Sequence, residues 1–259
     1  MLDRLFNRRQ DRTKLTEAEE SIPSSSLTRW LRQGIDGHIC PLCRVAHKAD
    51  REYIWQFSEE GCGDEETMQL LARAHGFCVE HAGMLRRIDV AVQSMLGVST
   101  IYADLFADLE SELAGLDVEQ SCDGETCPAC VSRERALRQN AGYLLAALTA
   151  GSGSIARNFS SSPGLCFPHF ELVWASVGTG QARQLVLDVQ RRAVSELLGD
   201  LREFIRKEGA EFKYEQKGSE QDAWTRAIRL TAGWPAPVES AGVPEANSLR
   251  PSRRGPPPA

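Results

Sequence analysis

The chain has no run of about eighteen apolar residues, so no membrane-spanning helix is expected. Its first residues, Met1-Leu2-Asp3-Arg4-Leu5-Phe6-Asn7-Arg8-Arg9, lack the apolar stretch of a secretory signal. Catalytic signatures are missing too. There is no Ser-His-Asp order, no Walker loop, no dinucleotide fingerprint and no His-Glu-x-x-His. Gly151-Ser152-Gly153-Ser154 is glycine-rich but has no lysine, and it reads as a flexible connection between helices. Alternating strand patterns are scarce, and the best candidate is the short run Glu211-Phe212-Lys213-Tyr214-Glu215. No catalytic constellation is recognisable, so the reading leans away from an enzyme.

Lysine is also scarce, at 5 of the 30 basic residues, and the formal net charge is −6. Residues 1–26 carry five basic and five acidic groups, and residues 235–259 carry three and two. The remaining body therefore holds 22 basic and 29 acidic groups, a net −7. An acidic body repels a phosphate backbone, which disfavours nucleic acid as a partner. Residues 1–26 read as a mobile arm. Residues 235–259 hold seven of the twelve prolines and read as a disordered tail.

What is present is helical patterning and cysteine. Apolar residues recur with three-and-four spacing at Met84, Leu85, Ile88, Ala91, Val92 and Met95. Leu105, Phe106, Leu109 and Leu113 make the inner side of a helix over residues 102–113. Leu185, Val189, Val194, Leu197, Leu198, Leu201, Phe204 and Ile205 make a long stripe over 181–207, placed to cross both halves of the chain. Ala223, Trp224, Ala227, Ile228 and Thr231 mark a closing helix over 219–231. Glu203, Glu208, Glu211 and Glu215 read as a solvated face. The expected fold is all-α, a helical bundle built from two related zinc-binding helical repeats between disordered tails.

The repeat lies in the cysteines. Eight are present without an export signal, which points to a reducing, cytoplasmic setting and to metal or redox chemistry. Cys40-Pro41-Leu42-Cys43 is followed, 35 positions after Cys43, by Gly76-Phe77-Cys78-Val79-Glu80-His81. Cys127-Pro128-Ala129-Cys130 is followed, 36 positions after Cys130, by Gly164-Leu165-Cys166-Phe167-Pro168-His169. The motif C-P-x-C … G-[FL]-C-x-x-H thus occurs twice, and it divides the folded part into residues 27–120 and 121–234. Proline suits a first helical turn, so each C-P-x-C is expected to start a helix. In C-x-x-H, residues i and i+3 share a face and can reach one ion. Each glycine permits the turn into its helix.

Three thiolates and an imidazole suit tetrahedral zinc, so two Zn²⁺ per chain are expected. The ligands are Cys40, Cys43, Cys78, His81, Cys127, Cys130, Cys166 and His169. The grouping is open. Pairing within each repeat costs less loop entropy, and exchange between repeats uses the same residues. Cys122, Cys127, Cys130 and Cys166 match a plant-type ferredoxin spacing, so an iron–sulfur cluster is an alternative, as is a thiol redox switch. Cys62 and Cys122 read as loop thiols. His38, His47 and His75 read as surface or outer residues, His47 being a possible substitute ligand.

At these motifs the sequence resembles an uncharacterised family of bacterial proteins, a domain of unknown function. The matching stretches are Cys40 to Cys43, Gly76 to His81, Ile101-Tyr102-Ala103-Asp104-Leu105, Cys127 to Cys130, Gly164 to His169, and an end running from Phe204-Ile205-Arg206-Lys207 through Glu215, Gly218, Glu220, Asp222, Trp224 and Arg226-Ala227-Ile228, with Glu208-Gly209-Ala210 a looser match. The resemblance implies a cytoplasmic, metal-binding helical protein and carries no established activity. The expected role is a non-catalytic binding or regulatory module whose partner is an unidentified protein or small ligand, with the oligomeric state open.

Overall fold

A computed structural model describes residues 27, 29, 31, 39–60, 64–92, 95–115, 124–151, 153–212 and 214–233. The arm, the Pro-rich tail, Cys62, Cys122 and His38 lie outside the described residues. Among those described, the secondary structure is helical and no strand occurs. The helices are α1 (Pro41–Glu60), α2 (Glu65–Arg73), α3 (Val79–Val92), α4 (Met95–Gly115) and α5 (Pro128–Thr149). They continue with α6 (Gly153–Ser160), α7 (Phe167–Ser176), α8 (Gln181–Lys207), a 3₁₀ turn (Ser219–Asp222) and α9 (Ala223–Ala232). None is long and apolar enough to cross a membrane.

The local chemistry explains several helix starts. Pro128 occupies the first turn of α5, where its missing N–H costs nothing. Asp64 caps α2 by accepting from the Thr67 N–H at 3.1 Å, and Glu65 and Glu66 follow in the first turn. Gly153, read from sequence as part of a flexible connection, instead opens α6, whose Ile155 and Phe159 are fully buried. Met95 begins α4 and does not extend the α3 stripe.

The two C-P-x-C helices, α1 and α5, form the most extensive helix pair. They run antiparallel. The start of α1 (Leu42, Val45) packs with the second half of α5 (Leu137, Ala141, Leu144, Leu148) in the larger core. Leu27, Leu31, Ile155, Phe159, Leu165, Val173 and Val186 complete that core. The second half of α1 (Ile54, Phe57) packs with the start of α5 (Cys127, Ala129) and with Leu71, Leu85 and Ile101 in a smaller one. There Phe77 sits edge-on to Phe57 at 4.9 Å. Each buried leucine or phenylalanine contributes about 1.5–3 kcal/mol.

Several apolar assignments are corrected. Phe106 and Leu113 are 64% and 61% exposed, because α4 turns only Ile101 and Leu105 fully inward. Val194, Leu198, Ile205, Trp224 and Ile228 are also exposed, while Val189, Leu197 and Ala223 carry the inner contacts of their helices. The long helix α8 packs mainly on α5, α6, α7 and α9, and its Val186 and Val189 also enter the larger core with Leu27, Leu31 and Leu42 of the first half. The strand candidate is a turn. Residues 211, 212 and 214 lie in turns and 215 in a bend, with the Phe212 ring 4.6 Å from the Arg206 guanidinium. The glutamates nearby are paired. Glu203 and Glu215 share Arg206, Glu208 meets Lys217, and buried Glu220 meets Lys207.

Candidate metal centres

All eight predicted ligands sit at helix starts. In α1, α3, α5 and α7 the first intrahelical bond runs to the carbonyl of a cysteine: Arg44 to Cys40, Ala82 to Cys78, Val131 to Cys127 and Phe170 to Cys166. The second donor of each motif lies three residues on, one turn into the helix. Each motif thus presents two donor atoms beside the positive end of a helix, where an anionic thiolate cluster is favoured.

The donors converge in two groups, and the grouping is the exchanged one. Site 1 contains Cys40, Cys43, Cys166 and His169, and site 2 contains Cys78, His81, Cys127 and Cys130. The within-repeat pairing, favoured on loop entropy, is not found. Antiparallel packing of α1 on α5 carries the two C-P-x-C motifs apart, each beside the C-x-x-H helix of the other half. The ferredoxin-like set does not assemble either, since Cys166 is in a different group from Cys127 and Cys130. No disulfide joins the described cysteines, and neither His47 nor His75 joins a group. His75 instead meets Glu112 at 3.1 Å.

The spacings fit a tetrahedral ion. Bonds of about 2.3 Å to sulfur and about 2.0–2.1 Å to nitrogen imply tetrahedron edges of about 3.8 Å for S···S and about 3.5 Å for S···N. In site 1, Cys43 Sγ lies 3.6 Å from Cys166 Sγ. His169 Nδ1 lies 3.5, 3.4 and 3.1 Å from Cys40, Cys43 and Cys166. In site 2, Cys78 Sγ lies 3.8 Å from Cys130 Sγ. His81 Nδ1 lies 3.2, 3.6 and 3.4 Å from Cys78, Cys127 and Cys130. Both imidazoles present Nδ1. The donor chemistry is that of a zinc ligand set, and either group can hold a metal ion.

The electrostatics ask for a cation. Burial pushes the Cys40 thiol well above its ordinary value, and contact with Cys166 and Cys43 adds to this. Burial and then the neighbouring Cys127 push Cys130 up to about 12. Burial alone would raise Cys127, but the hydrogen bond from His81 outweighs it and lowers the thiol to about 6. Burial opposes charge on His81 and His169. Contact with Asp50 and Cys127 nevertheless lifts His81 to about 10, and contact with Cys166 and Cys43 lifts His169 to about 9. Three thiolates this close cannot all be charged unless a positive ion sits among them.

Backbone turns deliver the C-x-x-H pairs. Gly76 and Gly164 have φ of +102° and +81°, a region open to glycine. A Cβ at Gly164 would come within 3.0 Å of the Ala193 Cβ on α8. Beside it, buried Gln190 binds the Leu165 backbone twice, accepting from the N–H at 3.1 Å and donating to the carbonyl at 2.9 Å. Gln190→Leu leaves both buried groups unpaired, each at about 1–3 kcal/mol. It should lower the denaturation midpoint and weaken metal binding at site 1, as read by urea unfolding and chelator competition.

Sequence reasoning missed Asp50 and Arg133. His81 Nε2 lies 3.0 Å from Asp50 Oδ1, with both side chains buried. Arg133 donates to Asp50 Oδ2 at 3.4 Å, to Glu80 at 3.2 Å and to Cys130 Sγ at 3.7 Å. The signal was periodic. Asp50 is seven positions after Cys43, on the same helix face, and Arg133 is three after Cys130. The backbone of Gly233, at the end of α9, also closes over site 1. A Cβ there would lie 3.5 and 3.6 Å from Cys166 Sγ and Cys43 Sγ.

A cleft of about 830 Å³ opens beside site 1 between residues 161–164, α8 and α9. Two of its arginines are committed within the fold: Arg192 to the Ser160 and Ser162 carbonyls, Arg226 to Asp200 and Asp222.

Residues 35–236 match a family described as "Family of unknown function (DUF6062)". No curated protein and no solved structure matches the chain.

Proposed function

The chain belongs to this family of unknown function, so kinship supplies no activity, and we propose from the two donor groups that it is a non-catalytic, zinc-braced helical module. Two related units, residues 27–120 and 121–234, hold two Zn²⁺ ions between them. Each unit gives a C-P-x-C pair to one ion and a C-x-x-H pair to the other. The observation that carries this reading is the closed set of four protein donors at tetrahedral spacing in each group. Four protein ligands fill the tetrahedron and leave no position for water or substrate, which is the chemistry of a structural site rather than a catalytic one. Three thiolates and Zn²⁺ leave one negative charge per site, and the helix ends around each site favour it. The absence of a disulfide among the described cysteines accords with a reducing, cytoplasmic setting. The braced body then presents a surface to another protein or to a small ligand.

Elemental analysis of protein purified without added metal should find two zinc ions per chain. A single ion, or iron with visible absorption, rejects the two-zinc reading.

A further inference from the structure

The two sites share a ligand set and differ in what stands behind the histidine. In site 2, the His81 ring bonds Asp50 through the nitrogen that faces away from the thiols, and Asp50 is held in turn by Arg133. Asp50 belongs to α1, the helix that carries Cys43 of site 1. Arg133 belongs to α5, the helix that carries Cys130 of site 2. The positions that correspond in the other motif are Leu137, seven after Cys130, and Ala46, three after Cys43. Neither can form such a chain, and among the described residues no carboxylate pairs with His169. Among the thiols the burial runs the opposite way, although His81 is buried and His169 only partly so. Cys40, Cys43 and Cys166 of site 1 are all buried within the larger core. In site 2, Cys78 and Cys130 are only partly buried, beside the smaller core.

We propose that Asp50, fixed by Arg133, is a positioning residue that holds the metal in site 2, whereas site 1 relies on burial. The inference rests on the zinc reading above. The carboxylate fixes the imidazole with its proton on Nε2, leaves the Nδ1 lone pair directed at the three sulfurs, and raises the basicity of that nitrogen. Arg133 keeps the carboxylate aimed and offsets the negative charge of site 2 through its contact with Cys130. The exchanged pairing gives this arrangement a consequence. The residue that positions the ligand of one site lies two turns, about 10 Å, along the same helix from a ligand of the other.

The test is a competitive chelator titration of the full-length protein that resolves two zinc affinities. Asp50→Ala should weaken one site by about 10–100-fold and leave the other within about twofold. Asp50→Asn keeps an acceptor oxygen without the charge and should recover part of the loss. Arg133→Gln, at a partly exposed position, should weaken the same site by a smaller factor. It carries the test alone if the Asp50 variants fail to fold. Loss of the same factor from both sites in Asp50→Ala would point to general destabilisation and overturn the proposal, as would unchanged affinities in Arg133→Gln. Wild-type protein without zinc overturns the parent reading. Two wild-type zinc ions with unaltered affinities in every variant overturn only this one.

Discussion

After dialysis against a competing chelator, the double variant Cys43→Ser, Cys166→Ser should retain one zinc per chain, and Cys43→Ser, Cys78→Ser should retain none. The first pair removes two ligands from site 1 and leaves site 2 whole. The second removes one ligand from each site, and a three-ligand remnant loses its ion to the chelator. Pairing within each repeat predicts the reverse. Cys43 and Cys78 would then share an ion, and their joint loss would spare the other. Zinc content by elemental analysis decides between the two. Single variants cannot, because Cys43→Ser alone costs one ion under either arrangement.

The same comparison shows what was legible in the sequence. The eight ligands could be read because donor spacing is local. A cysteine and a second donor three residues on must share a helical turn, and the prolines and glycines mark where those turns begin. The grouping depended on a tertiary competition, and loop entropy misjudged it. Cys43 reaches Cys166 across 123 residues, where a partner in its own repeat stood 35 away. That is less than two doublings of loop length, or about 1 kcal/mol. Packing α1 on α5 buries Leu42 and Val45 with Leu137, Leu144 and Leu148, and Ile54 and Phe57 with Cys127 and Ala129, and one such side chain offsets the whole penalty. The exposed Phe106, Leu113 and Trp224 were misplaced for a related reason. An apolar stripe at helical spacing says that a helix has a packing face, but not how much of that face a neighbour covers. Asp50 was overlooked because its role joins two helices distant in sequence.

Removing both ions should abolish cooperative folding. A structural zinc set contributes on the order of 10 kcal/mol to folding at neutral pH. A domain's whole net stability is about 5–15 kcal/mol, so two such contributions exceed what the remaining contacts hold in reserve. The metal-free chain keeps helix-forming sequence but loses the ties between the starts of α1 and α7 and of α3 and α5. A chelator in excess should therefore erase the sharp thermal transition and the near-ultraviolet circular dichroism, while some far-ultraviolet helical signal persists. Zinc should restore all three. A transition that keeps its midpoint with both ions gone would show that the cores suffice without them. Protons report the same event with a definite sign. Without an ion, Cys40 stands well above its ordinary value and Cys130 at about 12, with His169 at about 9 and His81 at about 10. At pH 7.5 those four groups bind protons that the ligated forms cannot carry, so each site takes up at least two as its ion leaves. If the metal-free chain unfolds, its thiols return to about 8.5 and still mostly protonate, so the sign is unchanged. Zinc affinity, and the stability linked to it, must then fall as pH falls. Calorimetric titration in buffers of different ionisation enthalpy should count that uptake after correction for the chelator. Proton release on zinc loss would contradict ligation by these thiols.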